Sequence, residues 1–210
     1  MELVDLASWP RRELFEFFSP LSNPFYSVTF RLDVTKLHAY TKARGLSFYY
    51  ALVYLSTLAV NRVEAFSYSM EDGRVVRLRE RLPSFTDLKP GQEQFHIVTM
   101  PCRGSLEDFC AAAKAKSRSQ QGFIDYASEG ADLIYLSCLP WVDLTGLTNE
   151  RDLDPDDAVP RLAWGRYVPE NGREILGYSV EVNHRFIDGV HVGQFAQKLE
   201  ALIEELDSAE

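Results

Sequence analysis

The stretch 180-VEVNHRFIDGVHVGQF-195 decides how this sequence is interpreted. A hydrophobic run from Tyr178 to Val182 stops at Asn183-His184, and Asp188 follows four residues after His184. Beyond Gly189 the apolar residues recur with helical spacing. The pattern predicts a strand that ends near His184 and a helix that begins after Asp188, where the carboxylate could cap free backbone N–H groups.

Two interpretations of this stretch are open. His184 could be a polar residue at a strand end beside a helix-capping Asp188, because isolated His–Asp spacings are common. Alternatively, His184 could be a general base, since a neutral imidazole accepts protons near pH 7, with Asp188 holding the turn that orients it. The remaining histidines, His38, His96 and His191, lack such a setting and show no zinc-ligand spacing. No metal site is expected.

Composition limits the choice of partners. The 210 residues carry a net charge of −9 with a pI near 5.0, which argues against nucleic acid or an anionic membrane as the main partner. Cys102, Cys110 and Cys138 have no metal-ligand spacing and are odd in number, which indicates reduced thiols in a cytoplasmic protein. The longest apolar run, residues 48–60, is too short for a membrane span. One domain over residues 1–210 is expected.

Strands and helices alternate without a regular βαβ rhythm. Ser27–Val34 is a predicted strand, followed by a helix from an N-capping Thr35 to Gly45, and Glu71–Arg74 is a predicted hairpin turn. Residues 143–160 are predicted to form a long surface excursion. Further helices are predicted over 48–60, 105–121 and 194–206, and further strands over 95–100, 133–138, 161–168 and 175–182, with a turn at 169–172. We therefore expect an α/β two-layer sandwich, with a mixed, largely antiparallel sheet and helices packed on one face.

Four segments together resemble a known family. The motif His-x-x-x-Asp-Gly at 184–189 is similar to the signature of the chloramphenicol acetyltransferases and of the acyltransferase cores of 2-oxo acid dehydrogenase complexes. The segments 9-WPRRELFEFF-18, 133-LIYLSCLPWVDL-144 and 160-PRLAWGRY-167 resemble segments of the chloramphenicol acetyltransferases, in the same order. The resemblance covers nearly the whole chain and implies that family's fold.

The resemblance implies direct acetyl transfer from acetyl-CoA to a small-molecule alcohol. His184 matches the base that takes the proton of the acceptor hydroxyl, and no acyl-enzyme or metal is involved. Ser137 matches the serine that donates a hydrogen bond to the tetrahedral oxyanion, where one positioned donor can lower the barrier by about 3 kcal/mol.

The resemblance also implies roles for residues that support the site. Asp188 matches the family's aspartate and Arg11 its salt-bridge partner, although Arg12 is a neighbouring candidate. Trp141 and Tyr167 match positions that line the coenzyme A channel, for which ordinary aromatic packing is the alternative.

This sequence departs from the family where the acceptor is recognised. Asn183 replaces a second histidine, Ala163 replaces a threonine that positions a water, and Phe18 replaces a tyrosine that contacts the antibiotic. The loop that contains Phe25 and Tyr26, which belongs to the family's drug pocket, also differs. Because these changes remove hydrogen bonds, the sequence predicts retained acyl transfer with altered acceptor recognition, and chloramphenicol as a poor acceptor.

Members of the family are homotrimers with active sites between subunits, and the resemblance implies the same assembly here. Two alternatives remain: a stand-alone acyltransferase of the dihydrolipoyl type, and a catalytically weak ligand-binding relative. The match at residues 9–18 and the expected absence of a lipoyl domain count against the first. His184, Asp188 and Ser137 together count against the second, because a pure binding protein does not require all three.

Overall fold

The computed structural model describes residues 1–206. In that range there are five α-helices: α1 (Arg12–Phe18), α2 (Thr35–Arg44), α3 (Phe48–Asn61), α4 (Leu106–Ser119) and α5 (Gly189–Glu204). The strands are β1 (Glu2–Leu3), β2 (Phe25–Asp33), β3 (Tyr68–Glu71), β4 (Arg74–Arg77), β5 (Leu82–Leu88), β6 (Phe95–Thr99), β7 (Leu133–Leu139), β8 (Arg161–Gly165), β9 (Val168–Glu170) and β10 (Arg173–Asn183). None of these helices is both long enough and apolar enough to cross a membrane.

The main sheet has seven strands in the order β2-β10-β8-β7-β5-β6, with β9 paired to the start of β10. The pairs β5–β7 and β7–β8 are parallel, and the other pairs are antiparallel. A smaller antiparallel sheet has the order β1-β4-β3. The predicted α/β fold with a mixed, largely antiparallel sheet is confirmed.

One face of β10 packs against the helices. Successive side chains of a strand point to opposite faces, so Leu176, Tyr178, Val180 and Val182 share one face, and all four are fully buried. The Tyr178 hydroxyl donates to Ser56 Oγ on α3, and its ring packs on Phe195 of α5 at 5.8 Å between centroids. Helix α3 is central and buried nearly all round, as its composition predicted.

The opposite face of β10 is covered by the 143–160 excursion. This segment has no regular strand or helix, as predicted, and it packs directly on the sheet. Gly177 makes this possible, because a Cβ atom there would lie 1.7 Å from the carbonyl oxygen of Leu144. Farther along β10, Glu181 accepts hydrogen bonds from Asn149 and Arg151 of the excursion. Polar side chains on this face of the strand therefore anchor the irregular segment.

Two predicted boundaries were wrong. Thr35 is the first residue of α2 and not its N-cap, because the Asp33 carboxylate accepts from the Thr35 N–H while the Thr35 hydroxyl accepts from the Glu174 N–H. The predicted strand 161–168 is interrupted at residues 166–167 and resumes as β9. The turn is correspondingly tighter, with Asn171 and Gly172 at φ of 51° and 79°.

Strand β5 was not predicted, although it lies between β6 and β7 in the main sheet. Pro83 lies within it, and a proline has no N–H to donate to a neighbouring strand. Its carbonyl oxygen nevertheless accepts from the Met100 N–H. The strand is held by its neighbours on both sides, a stabilisation that has no local signal in the sequence.

Candidate active site

Arg11 ties together the turn between β10 and α5. Its Nη1 and Nη2 atoms each donate to a different oxygen of Asp188 at 2.5 Å. The same guanidinium donates to the carbonyl oxygens of His184 at 2.9 Å and Arg185 at 2.8 Å. One side chain thus connects residue 184, at the strand end, with residue 188, at the helix start. A bidentate guanidinium–carboxylate pair is directional and holds geometry well.

Arg12 takes no part in this arrangement. Its Nε atom donates to Glu16 Oε1 at 2.7 Å on the exposed side of α1, in an (i, i+4) pair. Arg11 is the N-cap residue of α1, and its side chain reaches Asp188 and the His184 carbonyl oxygen in the β10–α5 turn. Of the two candidate arginines, the geometry selects Arg11.

Asp188 is held in its charged form. The hydrogen bonds from Arg11 lower the pKa of the Asp188 carboxyl below its usual value, although partial burial opposes this shift. The Asp188 backbone N–H donates to His191 Nδ1 at 2.9 Å. Burial lowers the pKa of His191, which favours the neutral imidazole needed to accept that hydrogen bond.

His184 lies between two aromatic rings. The Phe18 ring stacks on the imidazole with 4.1 Å between centroids and 10° between planes, and the Tyr26 ring lies 4.4 Å away on a tilt of 37°. His184 Nδ1 is buried and lies 3.2 Å from Asp188 Oδ1, without the alignment of a hydrogen bond. The side chain is one-third exposed, at 33%, so its accessible edge is the one with Nε2.

Tyr26 is a neutral phenol in this setting. Its hydroxyl donates to the Ile187 carbonyl oxygen at 3.2 Å, within the same turn. Burial, followed by the charge of Asp188, raises the pKa of Tyr26 to about 12. A phenol with so high a pKa is not a candidate base near neutral pH.

Ser137 lies on the sheet beside Thr86 and Ala163. Its Oγ is 3.1 Å from Thr86 Oγ1 on β5, and Ala163 is its register partner on β8. The Thr86 carbonyl oxygen in turn accepts from the Tyr49 hydroxyl at 2.5 Å. Thr86 was not predicted as a site residue, because it lies 51 positions from Ser137 in an unpredicted strand.

Ser137 and His184 are far apart within one chain. Ser137 pairs with Ala163 on β8, which pairs with Ser179 on β10, and His184 lies five residues beyond Ser179. Two strand spacings and five residue rises separate their Cα atoms by about 20 Å. A single chain therefore does not bring the two residues together.

The two candidate coenzyme residues follow neighbouring parallel strands. Trp141 comes after β7 and is 71% exposed, whereas Tyr167 comes after β8 and is half-buried. The Tyr167 ring packs on Phe48 at 5.3 Å, and its hydroxyl lies 3.2 Å from His38 Nε2. Because β7 and β8 are parallel, both aromatic residues lie at the same edge of the sheet.

Phe25 borders a small cavity of about 310 Å³ beside Tyr26. The guanidinium of Arg151 lies over the Phe25 ring and forms an ion pair with Glu181. Burial alone would raise the pKa of Glu181, but hydrogen bonds from Asn149 and the charge of Arg151 lower it. This cavity is next to the aromatic residues around His184 and has a polar, internally paired wall.

Asn183, the family's second-histidine position, is a structural connector here. It is 1% exposed, and its Nδ2 donates to the Asp157 carbonyl oxygen at 3.0 Å. Its Oδ1 accepts from the backbone N–H and Nε of Arg185. Arg185 also donates to the carbonyl oxygen of Pro155. Asn183 and Arg185 thus fix the excursion beside the turn that contains His184.

Several residues near the site were not predicted. The partners of Arg185, Arg151 and Thr86 lie 30 to 51 positions away. No short motif records such contacts. A possible signal was the alternation in the second half of β10, where Ser179, Glu181 and Asn183 alternate with apolar residues.

Solved structures define the class to which this fold belongs. A dihydrolipoamide acetyltransferase from Azotobacter vinelandii superposes with a TM-score of 0.67 at 20% identity, over 92% of this chain and 86% of that one. A chloramphenicol acetyltransferase superposes with a TM-score of 0.89 at 26% identity, over 96% of this chain and 99% of that one. The chain thus has the fold that acyltransferases of both kinds share.

Sequence comparison then specifies the family. The chloramphenicol acetyltransferase of Clostridium perfringens is 27% identical over 208 residues, which cover 96% of this chain and 98% of the relative. The model of the family described as chloramphenicol acetyltransferase matches residues 1–200. The chain belongs to the chloramphenicol acetyltransferase family, a family of acyltransferases, and the resemblance noted in the sequence is confirmed.

Proposed function

We propose that this protein is an acetyl-CoA-dependent O-acetyltransferase, built as one acyltransferase domain, with His184 as the general base. The observation that carries the proposal is the His184 geometry: a turn fixed by Arg11, a buried Nδ1 and an accessible edge with Nε2. Proton transfer by a positioned imidazole typically accelerates a reaction by about 10²–10⁴-fold.

The transfer takes place in one addition and one elimination. His184 Nε2 removes the proton of the acceptor hydroxyl while the hydroxyl oxygen forms a bond to the thioester carbon. The carbonyl oxygen becomes an oxyanion, to which Ser137 donates its hydroxyl hydrogen. Collapse of this intermediate breaks the C–S bond, and the thiolate of coenzyme A takes the proton from the imidazolium. Atoms and charge balance without an acyl-enzyme or a metal ion.

Thr86 supports the role of Ser137. The two hydroxyls are 3.1 Å apart, and either could be the donor. If Thr86 donates to Ser137 Oγ, the hydrogen of Ser137 remains available for the oxyanion. Such a chain also polarises the Ser137 hydroxyl, which strengthens its own hydrogen bond.

The assembly proposed is a homotrimer with active sites between subunits. The support is the separation of about 20 Å between Ser137 and His184 within one chain, as strand spacing and register give it. An oxyanion donor must lie within hydrogen-bond distance of the reacting carbonyl oxygen. A site that uses both residues therefore takes His184 from one subunit and Ser137 from a neighbour.

The acceptor is a small alcohol that binds against Phe18, Phe25, Tyr26 and Ala163. Phe18 offers carbon surface where the family offers a hydroxyl group, and the buried Ala163 lacks the hydroxyl of the family's threonine, so chloramphenicol is proposed to be a poor acceptor. Each missing hydrogen bond is worth about 1 kcal/mol net, or more when a polar group of the substrate is left unpaired. The coenzyme would pass along Trp141 and Tyr167. A cytoplasmic location agrees with the three free thiols.

The proposal is tested by thiol release from acetyl-CoA across chloramphenicol and a panel of other small alcohols. We expect turnover with at least one alcohol and a loss of at least 10²-fold in His184→Ala. His191→Ala is a matched control, because His191 lies beside Asp188 but accepts only a backbone hydrogen bond. If no acceptor exceeds the His184→Ala rate, the enzymatic proposal fails.

A further inference from the structure

Three side chains form a continuous polar chain behind the candidate coenzyme edge. Glu174 Oε2 is buried and forms a close ion-pair contact with His38 Nδ1 without the alignment of a hydrogen bond, and His38 Nε2 lies 3.2 Å from the Tyr167 hydroxyl oxygen. Glu174 belongs to β10, His38 to α2, and Tyr167 to the break between β8 and β9. The His38 and Tyr167 rings also pack together at 4.8 Å between centroids. Three elements thus converge on one hydroxyl group.

The order of donors along this chain follows from chemistry. A carboxylate has no hydrogen to donate, so its close contact favours the His38 tautomer with the hydrogen on Nδ1. In a neutral imidazole the other nitrogen, Nε2, is then an acceptor. With that tautomer, Tyr167 donates its hydroxyl hydrogen to His38 Nε2. What the tyrosine presents to its surroundings is therefore an oxygen with free lone pairs.

Glu174 and Tyr167 are themselves held in place. The Glu174 backbone N–H donates to the Thr35 hydroxyl at 2.8 Å, and its carbonyl oxygen accepts from the Val34 N–H at 2.8 Å. The Tyr167 ring is fixed by Phe48, which packs on it with an interplanar angle of 60°. The orientation of the phenol oxygen is therefore set before any ligand arrives, which lowers the entropy cost of binding.

We propose that Glu174 and His38 are positioning residues that make Tyr167 a hydrogen-bond acceptor for an N–H group of the coenzyme. The matching donors are the two amide N–H groups of the pantetheine arm, a feature of every acyl-CoA. This inference rests on the proposed function, because it requires that Tyr167 lines the coenzyme channel. It extends that function by assigning roles to two residues outside the four matched segments.

The test is a double-mutant cycle in binding of coenzyme A, measured by titration calorimetry. Glu174→Leu removes the partner that sets the His38 tautomer and should weaken binding by about five- to tenfold, the usual size of one hydrogen bond. Glu174→Gln keeps an oxygen acceptor for His38 and should restore most of the affinity. In the Tyr167→Phe background, Glu174→Leu should have no further effect.

The matched control is Glu170→Leu, which removes an exposed carboxylate on β9 that pairs with Arg31. It should leave coenzyme affinity unchanged. In steady-state assays, Glu174→Leu should raise KM for acetyl-CoA at constant kcat, because the hydrogen bond exists in both ground and transition states.

The outcomes separate the two proposals. If the wild-type chain binds coenzyme A and Glu174→Leu weakens binding equally with and without the Tyr167 hydroxyl, Glu174 acts only through packing and the inference is overturned. The inference is also overturned if Glu174→Leu binds as the wild type does. If the wild-type chain binds no coenzyme A, the proposed function itself fails.

Discussion

At the scale of single residues, the surroundings of His184 agree with the proposed function, in which the acyl-transfer group persists while acceptor recognition changes. The stacked Phe18 ring holds the imidazole plane through carbon contacts, which a tyrosine ring would supply equally well. Only the hydroxyl differs between the two rings. Ala163 is likewise beside Ser137 without bonding to it.

Restoring both hydroxyl groups should therefore improve activity toward chloramphenicol. The double variant Phe18→Tyr, Ala163→Thr is expected to raise kcat/KM for chloramphenicol by about 10–100-fold, as two hydrogen bonds of about 1 kcal/mol each would predict. Thiol release with acetyl-CoA measures it. Phe17→Tyr is a control on the exposed side of α1. An unchanged kcat/KM would mean that acceptor selectivity lies elsewhere, with the loop at Phe25 as the next candidate.

Arg11 should be important for the stability of the fold, whereas Arg12 should not. Arg11→Met leaves the Asp188 carboxylate and two carbonyl oxygens without their donor, so we expect a loss of about 2–3 kcal/mol in the free energy of unfolding. Urea unfolding measures this loss. Arg12→Met removes only an exposed pair and should leave the urea midpoint unchanged. Equal effects of the two substitutions would contradict the assigned role of Arg11.

The lowered pKa of Asp188 sets the sign of its pH dependence. Its folded-state pKa lies below that of the unfolded chain, so its contribution to stability is complete above the unfolded value of about 3.9 and is lost as pH falls through the folded value. Below pH ~4 the wild type should lose more stability than Asp188→Asn, in which this titration is absent. Urea unfolding midpoints of the two proteins, measured from about pH 3 to about pH 6, test this difference. Parallel plots of midpoint against pH would contradict it.

At the scale of secondary-structure elements, the second face of the sheet depends on a close approach of two backbones. Gly177 in β10 lies directly beneath Leu144 of the excursion. A glycine inside a strand normally weakens it, and here the small residue is required by contact with another backbone segment. This contact holds the same excursion to which the side chains of Asn183 and Arg185 donate hydrogen bonds.

Gly177→Ala should destabilise the protein by about 1–3 kcal/mol, the usual cost of overpacking, because the added methyl group meets a backbone oxygen and not a movable side chain. Thermal unfolding measures the change. Gly193→Ala is the matched control: it lies exposed inside α5 with no atom within 4 Å of the added Cβ, and alanine should stabilise that helix. A neutral Gly177→Ala would mean that the excursion is free to move away.

At the scale of the whole molecule, the distance between Ser137 and His184 makes assembly a condition for catalysis under the proposed function. Under that proposal, each chain has two incomplete half-sites: one contains the base, His184, and the other contains the oxyanion donor, Ser137. Closed cyclic symmetry repeats the same contact around the ring, so every half-site with His184 meets one with Ser137.

Complementation between inactive variants tests this arrangement. His184→Ala and Ser137→Ala, each weakly active alone, should regain activity when refolded together, because some interfaces then combine an intact His184 with an intact Ser137. Random mixing would restore roughly a quarter of the sites. Each variant refolded by itself is the control. No recovery in mixtures that contain mixed trimers would place both residues of one site in the same chain.

Much of the fold was predictable because its signals are local. Alternation identified β2, a short apolar run identified β7, and Asn171-Gly172 lay within the predicted turn. Strand β5 was missed because its pairing partners are distant in sequence. The N-cap of α2 was misplaced because the Thr35 N–H donates to the Asp33 carboxylate, while the Thr35 hydroxyl accepts from the Glu174 N–H.

By itself, the sequence determined the strand that ends at His184 and the helix that starts after Asp188, because periodicity and capping depend on neighbouring residues. The tertiary structure decided between Arg11, which the resemblance implied, and Arg12 as the partner of Asp188. It alone decided that Thr86 contacts Ser137 and that His38 and Glu174 reach Tyr167. These contacts join residues 51 to 177 positions apart or depend on strand register. Register and crossover are set by the packing of the whole sheet, which no single segment encodes.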